Sequence, residues 1–208
     1  MAKIYTNEQY LNTTNVNVFR LNTEILQKFY LNNLVSSVFI IELANEEKIS
    51  LNFSENDFCH LIGFSHFGYD GGLGWERLKE TPIPITSFTR YEDFKMLLNR
   101  IKYFKNILDV LTAPKVFLYK AEDYPEFNYK SIYFAVAYVD GRVLKLGLVK
   151  NKNDDFYAET YLVDLNQEKY NYYLKEENLV QVISVKAIHK DITNQEVATT
   201  STEKENNK

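Results

Sequence analysis

The chain has 208 residues, of which 45% are hydrophobic, so it is long and apolar enough for one packed domain and is not an intrinsically disordered protein. Its net charge of −4 argues against a non-specific nucleic-acid binder, because such proteins carry an excess of lysine and arginine. The charge is unevenly distributed, however. Residues 100–152 carry ten basic and five acidic side chains, which either hold an anionic ligand or form an ordinary solvated face of a sheet.

Three features of the sequence bear on the location of the protein. Cys59 is the single cysteine, so no internal disulfide forms, and a lone thiol suits a reducing compartment. The N-terminus shows no apolar segment typical of a secretory signal. The longest apolar run, residues 38–41, is far shorter than the roughly 20 residues of a membrane helix. We therefore expect a soluble protein of the cytoplasm.

Apolar residues spaced by three and four, together with capping residues, predict mostly helices in the first half of the chain. The predicted elements in chain order are a helix over 21–33, a β-hairpin of strands 37–43 and 48–53, a helix over 55–62, an irregular glycine-rich connection from 63 to 84, and a long helix over 90–111. Ser54 is a good N-cap for the helix over 55–62, and Pro114 closes the long helix.

In the second half the apolar pattern changes to a period of two or to continuous runs, which predict strands. These strands cover 116–120, 131–139, 142–150, 156–163 and 180–188, with a short helix over 166–174. Asp140 and Gly141 form a strong two-residue hairpin turn, because glycine tolerates a positive φ. The pattern predicts an α+β protein in which a helical N-terminal half packs on an antiparallel four- to five-stranded meander. Residues 1–192 are predicted to form one domain, and residues 193–208 a disordered tail.

The most unusual segment, Phe58 to Phe67, places His60 and His66 six residues apart, beside Cys59. A metal site is not expected, since no Cys-x-x-Cys and no His-Glu-x-x-His motif accompanies them. A Cys–His nucleophilic pair is not expected either, because adjacent residues of a helix point in different directions. Either histidine is suited to general acid–base catalysis, because histidine titrates near neutrality. Alternatively, His60 only caps or packs the end of its helix.

Polar residues interrupt the apolar strands at Lys145 and at Glu159-Thr160. One face of the sheet would be lined by these residues and by three others, Arg100, Lys102 and Tyr119. RNases that use no metal need a base for the 2′-hydroxyl, cationic donors for the phosphate and an aromatic ring that stacks on a base. The same residues would also occur on the exposed face of any amphipathic sheet, so both interpretations stay open.

Four parts of the sequence resemble a known family. They are the phrase Phe58-Cys59-His60-Leu61-Ile62-Gly63-Phe64, Trp75, the segment 87–104 with Arg100-Ile101-Lys102-Tyr103-Phe104, and the hairpin 135–148 followed by Tyr157-Ala158-Glu159-Thr160. Over residues 50–165 the chain resembles the phage-associated barnase–EndoU–colicin–RelE-like (BECR fold) nuclease-like family. The resemblance implies a helical N-terminal half on a four-stranded antiparallel meander, and RNase-like chemistry without a metal or cofactor.

The resemblance also implies site residues. The positions that match are His60, Arg100, Lys102 and Thr160. His66 and Lys145 are added as candidates because of their residue types and positions, and not because of the family motif.

Functions of different classes stay open. The first is a phage or prophage endoribonuclease that cleaves RNA by 2′-hydroxyl attack, with His60 as base or acid and with Arg100 and Lys102 binding phosphate. Its cationic residues and a histidine should converge in one cleft. The second is a non-catalytic phage protein that binds and inhibits a host defence protein or a nucleic-acid-binding complex. Its histidines should be buried and its acidic residues should form a continuous patch. A third is an antitoxin-like or structural module.

Overall fold

The computed structural model describes residues 3–190, apart from the side chains of Lys169 and Tyr170. The helices are α1 (Asn7–Asn12), α2 (Thr23–Tyr30), α3 (Glu55–Ile62), α4 (Gly71–Glu80), α5 (Phe94–Lys102), α6 (Ile107–Thr112) and α7 (Glu168–Asn171). The strands are β1 (Ser37–Leu43), β2 (Lys48–Asn52), β3 (Lys115–Leu118), β4 (Tyr133–Val139), β5 (Arg142–Lys150), β6 (Phe156–Leu165), β7 (Leu179–Val180) and β8 (Val182–His189). The predicted tail, 193–208, lies outside the described residues. No helix within 3–190 is long and apolar enough to span a membrane.

The strands of residues 3–190 form one curled sheet in the order β7-β3-β4-β5-β6-β2-β1-β8. Neighbours pair antiparallel, except that β2 and β6 meet in a parallel pairing of Leu51 with Phe156. One continuous segment, 179–189, supplies both ends of the sheet, because β7 pairs with β3 and β8 pairs with β1. Beyond Phe156, therefore, the edge of β6 that faces away from β5 pairs with no other described strand.

The α+β class is confirmed, but the predicted four- to five-stranded antiparallel meander is wrong in detail. The sheet has eight strands within the described residues, and the hairpin of β1 and β2, which forms as predicted in the helical half, is part of it. It joins the other strands through β6 and β8. Such pairing between distant residues, for example Val38 with Ile188, leaves no signal in a local apolar pattern.

The connection 63–84 contains a helix that the sequence pattern did not predict. The Asp70 side chain caps α4 by accepting a hydrogen bond of 3.0 Å from the Gly71 N–H. Trp75 and Leu78 of α4 are buried in the main core. Packing of these two side chains therefore overrides the weak helix propensity of the glycines.

The long helix predicted over 90–111 is interrupted in the structure. α5 ends at Lys102, and α6 begins at Ile107. The carbonyl of Tyr103, between them, accepts a hydrogen bond of 2.8 Å from the Tyr161 hydroxyl of β6. A tertiary contact thus holds the break, although the apolar stripe continues across it.

The central strands bury side chains on both faces. On one face, Leu144, Leu146 and Leu148 of β5 pack with the helices in the main core. On the opposite face lies a second group, the aromatic cluster, which consists of Phe117, Tyr119, Tyr124, Phe134, Val136, Val143 and Tyr173, with Phe127, Tyr129, Leu162, Tyr172 and Leu174 packed against it. The segments that follow β3 and β6 thus cover the face of the sheet that the helices leave open.

Candidate active site

A β-bulge in β6 is the centre of the candidate site. Gly147 of β5 pairs with Thr160 and Leu148 pairs with Ala158, so Glu159 is an extra residue without a partner on β5. A bulge bends the strand and redirects side chains, and bulges often lie next to active sites. A Cβ at position 147 would overlap the Ser131 hydroxyl and lie 3.0 Å from Thr160 Cγ2, so the close packing around the bulge requires glycine.

His60 bonds to this bulge from the last turn of α3. Its ring is exposed, and its Nε2 lies 2.6 Å from the carbonyl oxygen of Glu159. A carbonyl oxygen can only accept a hydrogen bond, so Nε2 carries the proton and donates it. Nδ1 is then the nitrogen that can take up or release a proton, and no group within residues 3–190 bonds to it.

Local residues determine where α3 begins and ends. At its start the N–H and hydroxyl of Ser54 both donate to the Asp57 carboxylate, at 2.8 Å. At its end Gly63 has a φ of +90°, a conformation that glycine adopts without strain. A Cβ at Gly63 would lie 2.6 Å from Leu97 Cδ2 and 3.3 Å from Arg100 Nη1. The glycine therefore lets α5 approach and places Arg100 beside the helix that carries His60.

The Glu159 carboxylate is held by the segment before β4. The Lys130 N–H donates to its two oxygens, at 3.0 and 3.1 Å, and the Ser131 hydroxyl donates to Oε2 at 2.6 Å. Ser131 is buried, whereas Glu159 is half-buried. These bonds fix the carboxylate in one orientation, and they leave it further lone pairs for a ligand.

Arg100, near the end of α5, is a half-buried cation. Burial lowers its pKa, and the nearby Tyr129, Asp164 and Tyr161 oppose that shift. No hydrogen bond or ion pair within the described part of the chain engages its guanidinium group. A guanidinium group presents five N–H donors in a planar fork that fits a phosphate or carboxylate. Arg100 is therefore a candidate binding site for an anion.

Tyr129 connects the aromatic cluster to these charged groups. Burial raises the pKa of its hydroxyl, Asp164 and Glu159 raise it further, and Arg100 lowers it. The charges of three side chains therefore act on this hydroxyl. Its ring stacks on Phe127, with ring centres 5.5 Å apart and planes at 16°.

A comparison with protein families gives a match over most of the chain. The model of PBECR4, described as phage-Barnase-EndoU-ColicinE5/D-RelE like nuclease4, matches residues 24–203. This chain belongs to the PBECR4 family. The resemblance inferred from residues 50–165 is thereby confirmed, and the match extends beyond them at both ends. Comparisons of this PBECR4 protein with curated proteins and with solved structures give no significant match.

The PBECR4 fold brings some of the predicted site residues together and separates others. His60 bonds to the bulge of β6, Thr160 directly follows the extra residue of that bulge, and Arg100 lies beside the Gly63 end of the helix that carries His60. Lys102 is half-buried, and its Nζ lies 5.4 Å from the centre of the neighbouring Tyr103 ring. His66 is exposed after the end of α3, and its Nδ1 lies 3.2 Å from an oxygen of Asp93. Within residues 3–190 the hydrogen-bond partner of His66 differs from that of His60, so the two histidines do not act on one shared group.

Lys145 is satisfied inside the protein. It is 1% exposed, and its Nζ lies 2.6 Å from Asp164 Oδ2 and 3.1 Å from Asn171 Oδ1. The ammonium group also lies 5.0 Å from the centre of the Tyr173 ring. Burial lowers the pKa of Lys145, and Asp164 opposes that shift. Lys145 therefore links β5, β6 and α7 and positions Asp164, and its catalytic role stays a prediction.

The sequence analysis missed two residues of this PBECR4 site. Glu159 was noted as a polar interruption of a strand, but its role depends on a bulge, and a bulge follows from strand pairing that the sequence does not display. Tyr129 is one of 30 tyrosine and phenylalanine residues, so its type alone carries no signal.

Within residues 3–190 no group of three or more His, Cys, Asp and Glu side chains has the arrangement of a metal site.

Proposed function

We propose that this PBECR4 protein is an endoribonuclease that cleaves RNA by attack of a 2′-hydroxyl on the adjacent phosphate, with protein side chains alone as catalysts. The observation that carries the proposal is the guanidinium group of Arg100, which has no partner in the described chain and lies beside the helix of His60. Membership of a nuclease-like family supports it. A half-buried cation that forms no direct ion pair or hydrogen bond is costly, which favours an anionic ligand at this place.

The proposed reaction needs one group that takes a proton and one that gives a proton. The Glu159 carboxylate takes the proton from the 2′-hydroxyl as its oxygen attacks phosphorus. Nδ1 of His60 gives a proton to the 5′-oxygen as the bond between phosphorus and that oxygen breaks. The products are a 2′,3′-cyclic phosphate and a 5′-hydroxyl, so protons and charge balance.

Arg100 binds the phosphate in this scheme. Its N–H donors stabilise the negative charge that develops on the phosphate oxygens in the transition state. The hydrogen bond from His60 Nε2 to the Glu159 carbonyl keeps the imidazole ring oriented, and therefore keeps Nδ1 available for proton transfer. Lys102 is a second cation on α5, and Thr160 is a hydroxyl next to the base, and both are proposed to assist phosphate binding.

The exposure of the histidines supports an enzyme over a non-catalytic inhibitor. The inhibitor hypothesis requires buried histidines, whereas His60, His66 and His189 are all exposed. The inhibitor hypothesis also does not explain Arg100. An acidic protein that covers a basic surface needs exposed carboxylates, and a half-buried guanidinium group does not contribute to such an interface.

The test is cleavage of total RNA and tRNA by the purified protein in the presence of a chelator. His60→Gln keeps an N–H donor near the position of Nε2 but cannot exchange a proton, so its rate should fall by about 10²–10⁴. Arg100→Ala should also lose activity, with folding intact by circular dichroism. His66→Gln is the matched control and should cleave like the wild type. If the wild type cleaves no RNA, the proposal is wrong, and a pull-down for a host protein partner tests the alternative.

A further inference from the structure

An exposed aromatic ring lies on β6 beside the bulge of the candidate site. Proteins bind unpaired nucleobases by stacking them on aromatic rings, which requires a ring face that is open to solvent. Among the side chains that the structure describes, the exposed phenylalanine, tyrosine and tryptophan residues are Phe19, Tyr138 and Tyr157. Tyr157 lies on β6, two residues before Glu159. It is 44% exposed, and no ring or cation of the described residues packs on it.

The Tyr157 ring and the Glu159 carboxylate project from the same face of the sheet. Leu148 of β5 faces the main core together with its partner on β6, and successive residues of a strand alternate, so Tyr157 faces away from that core. The Ser131 hydroxyl, which holds the Glu159 carboxylate, fills the space that a Cβ at Gly147 would take. Gly147 alternates with Leu148, so this space also faces away from the main core. Two residues of a strand rise by about 7 Å. A nucleotide whose ribose lies at Glu159 therefore places its base within reach of the Tyr157 ring.

Other tyrosines near the bulge have no open ring face. Tyr119, which the sequence pattern placed on this side of the sheet, is 4% exposed, and Tyr124 stacks on it at 5.6 Å and 17°. Tyr129 is half-buried and stacks on Phe127. Tyr157 is therefore the tyrosine beside the bulge that a nucleobase can cover.

The charges next to Tyr157 favour a base over a phosphate. The turn before β6, residues 151–155, carries exposed Asp154 and Asp155 and one exposed cation, Lys152, which gives it a net charge of −1. This charge repels a phosphate and leaves a neutral base unaffected. The phosphate of a bound nucleotide is therefore expected at Arg100, beside α3, and its base at Tyr157.

We propose that the ring of Tyr157 is a stacking site for one unpaired nucleobase of RNA, namely the base of the nucleotide whose 2′-hydroxyl faces Glu159. The inference rests on the proposed function and names its substrate class, single-stranded RNA. Every base has a flat face that stacks on an aromatic ring, so the site selects unpaired RNA without selecting one base. The bases of a duplex are stacked on each other and paired, which keeps them from the ring.

The experiment measures binding of two oligonucleotides by fluorescence polarisation. Both have about eight residues, within the usual site size for single strands, and both lack 2′-hydroxyls, so the proposed reaction cannot cleave them. The first carries bases and the second is the same backbone without bases. Tyr157→Ala should weaken binding of the first about tenfold and leave binding of the second unchanged, because it removes the stacking surface alone. Tyr157→Phe keeps the ring and should bind both like the wild type.

Tyr138→Ala is the matched control. Tyr138 is 47% exposed on the same sheet, and its partner Val143 lies six residues along β5 from Val149, the partner of Tyr157, which is about 20 Å. This variant should bind both oligonucleotides like the wild type, and circular dichroism should show all three variants folded.

The stacking site is refuted if Tyr157→Ala binds the first oligonucleotide like the wild type, or if it weakens both oligonucleotides equally. Base-dependent loss of binding in Tyr157→Ala would support the site even if the wild type cleaves no RNA, and that pair of results would refute only the proposed nuclease activity. Cleavage of RNA by Tyr157→Ala with the kcat/KM of the wild type would refute the stacking site alone.

Discussion

Replacing Glu159 with glutamine should loosen the segment 120–131 from β6. In the wild type the Glu159 carboxylate accepts hydrogen bonds from the Lys130 N–H and from the Ser131 hydroxyl. Hydrogen bonds to a charged acceptor contribute about 1 kcal/mol more than neutral ones. Two donors give about 2 kcal/mol, and the half-exposure of Glu159 lowers the expected loss to about 1–2 kcal/mol.

A loss of this size should lower the midpoint of thermal unfolding by about 2–8 °C for a chain of this length. Hydrogen exchange adds a local measurement, because the Lys130 amide should lose its protection while the amides of β5 keep theirs. Glu126→Gln is the matched control, since Glu126 is exposed on the same segment. Equal stability of the two variants, with the Lys130 amide still protected in Glu159→Gln, would refute the proposed role of the carboxylate in holding this segment.

Three further predictions concern other parts of the fold. Gly63→Ala should lower the free energy of unfolding by more than about 1 kcal/mol, because a Cβ would strain the positive φ at this position. It should also weaken phosphate binding at Arg100, because the Cβ would crowd α5. Unfolding and phosphate titrations that match those of the wild type would contradict this prediction. Burial raises the pKa of the Cys59 thiol to about 12. Iodoacetamide at about pH 8 should therefore label this thiol in the unfolded chain and leave it unlabelled in the folded protein. Fast labelling of the folded protein would contradict the burial of Cys59. The hydrogen bond from Lys150 lowers the pKa of Glu47 below its ordinary 4.5, so this carboxylate stabilises the fold above that pH and ceases to do so as the pH falls through the lowered value. Urea unfolding from about pH 7 to about pH 3 should therefore show the stability gap between wild type and Glu47→Gln closing in acid, and a constant gap would refute the assignment.

Local patterns predicted the local parts of the fold. β5 and its turn at Asp140 and Gly141 were predicted because an apolar run and a turn with two positive φ values are both encoded by adjacent residues. The helix α3 was predicted from Ser54 and Gly63 at its ends. The joining of β1 and β8 to the same sheet could not be predicted, because it depends on the chain closing over more than a hundred residues.

The candidate site likewise contains residues that the sequence predicted and residues that it did not. His60 and Arg100 were predicted from their chemistry and from the family resemblance, because histidine and arginine have few equivalents for proton transfer and phosphate binding. Glu159 gains its position from a bulge, and Tyr129 gains its position from packing against the aromatic cluster, whose members come from segments that are far apart in the chain. Their place in the candidate site therefore follows from tertiary structure and not from residue type.

The most direct test of the proposed mechanism is cleavage of an RNA oligonucleotide in which one nucleotide at a mapped cleavage position lacks its 2′-hydroxyl. Mass spectrometry identifies the product ends. The mechanism predicts that cleavage stops at the modified position alone and that the products elsewhere carry a 2′,3′-cyclic phosphate and a 5′-hydroxyl. Continued cleavage at the modified position, or products with a 5′-phosphate, would contradict 2′-hydroxyl attack and the roles assigned to Glu159 and His60.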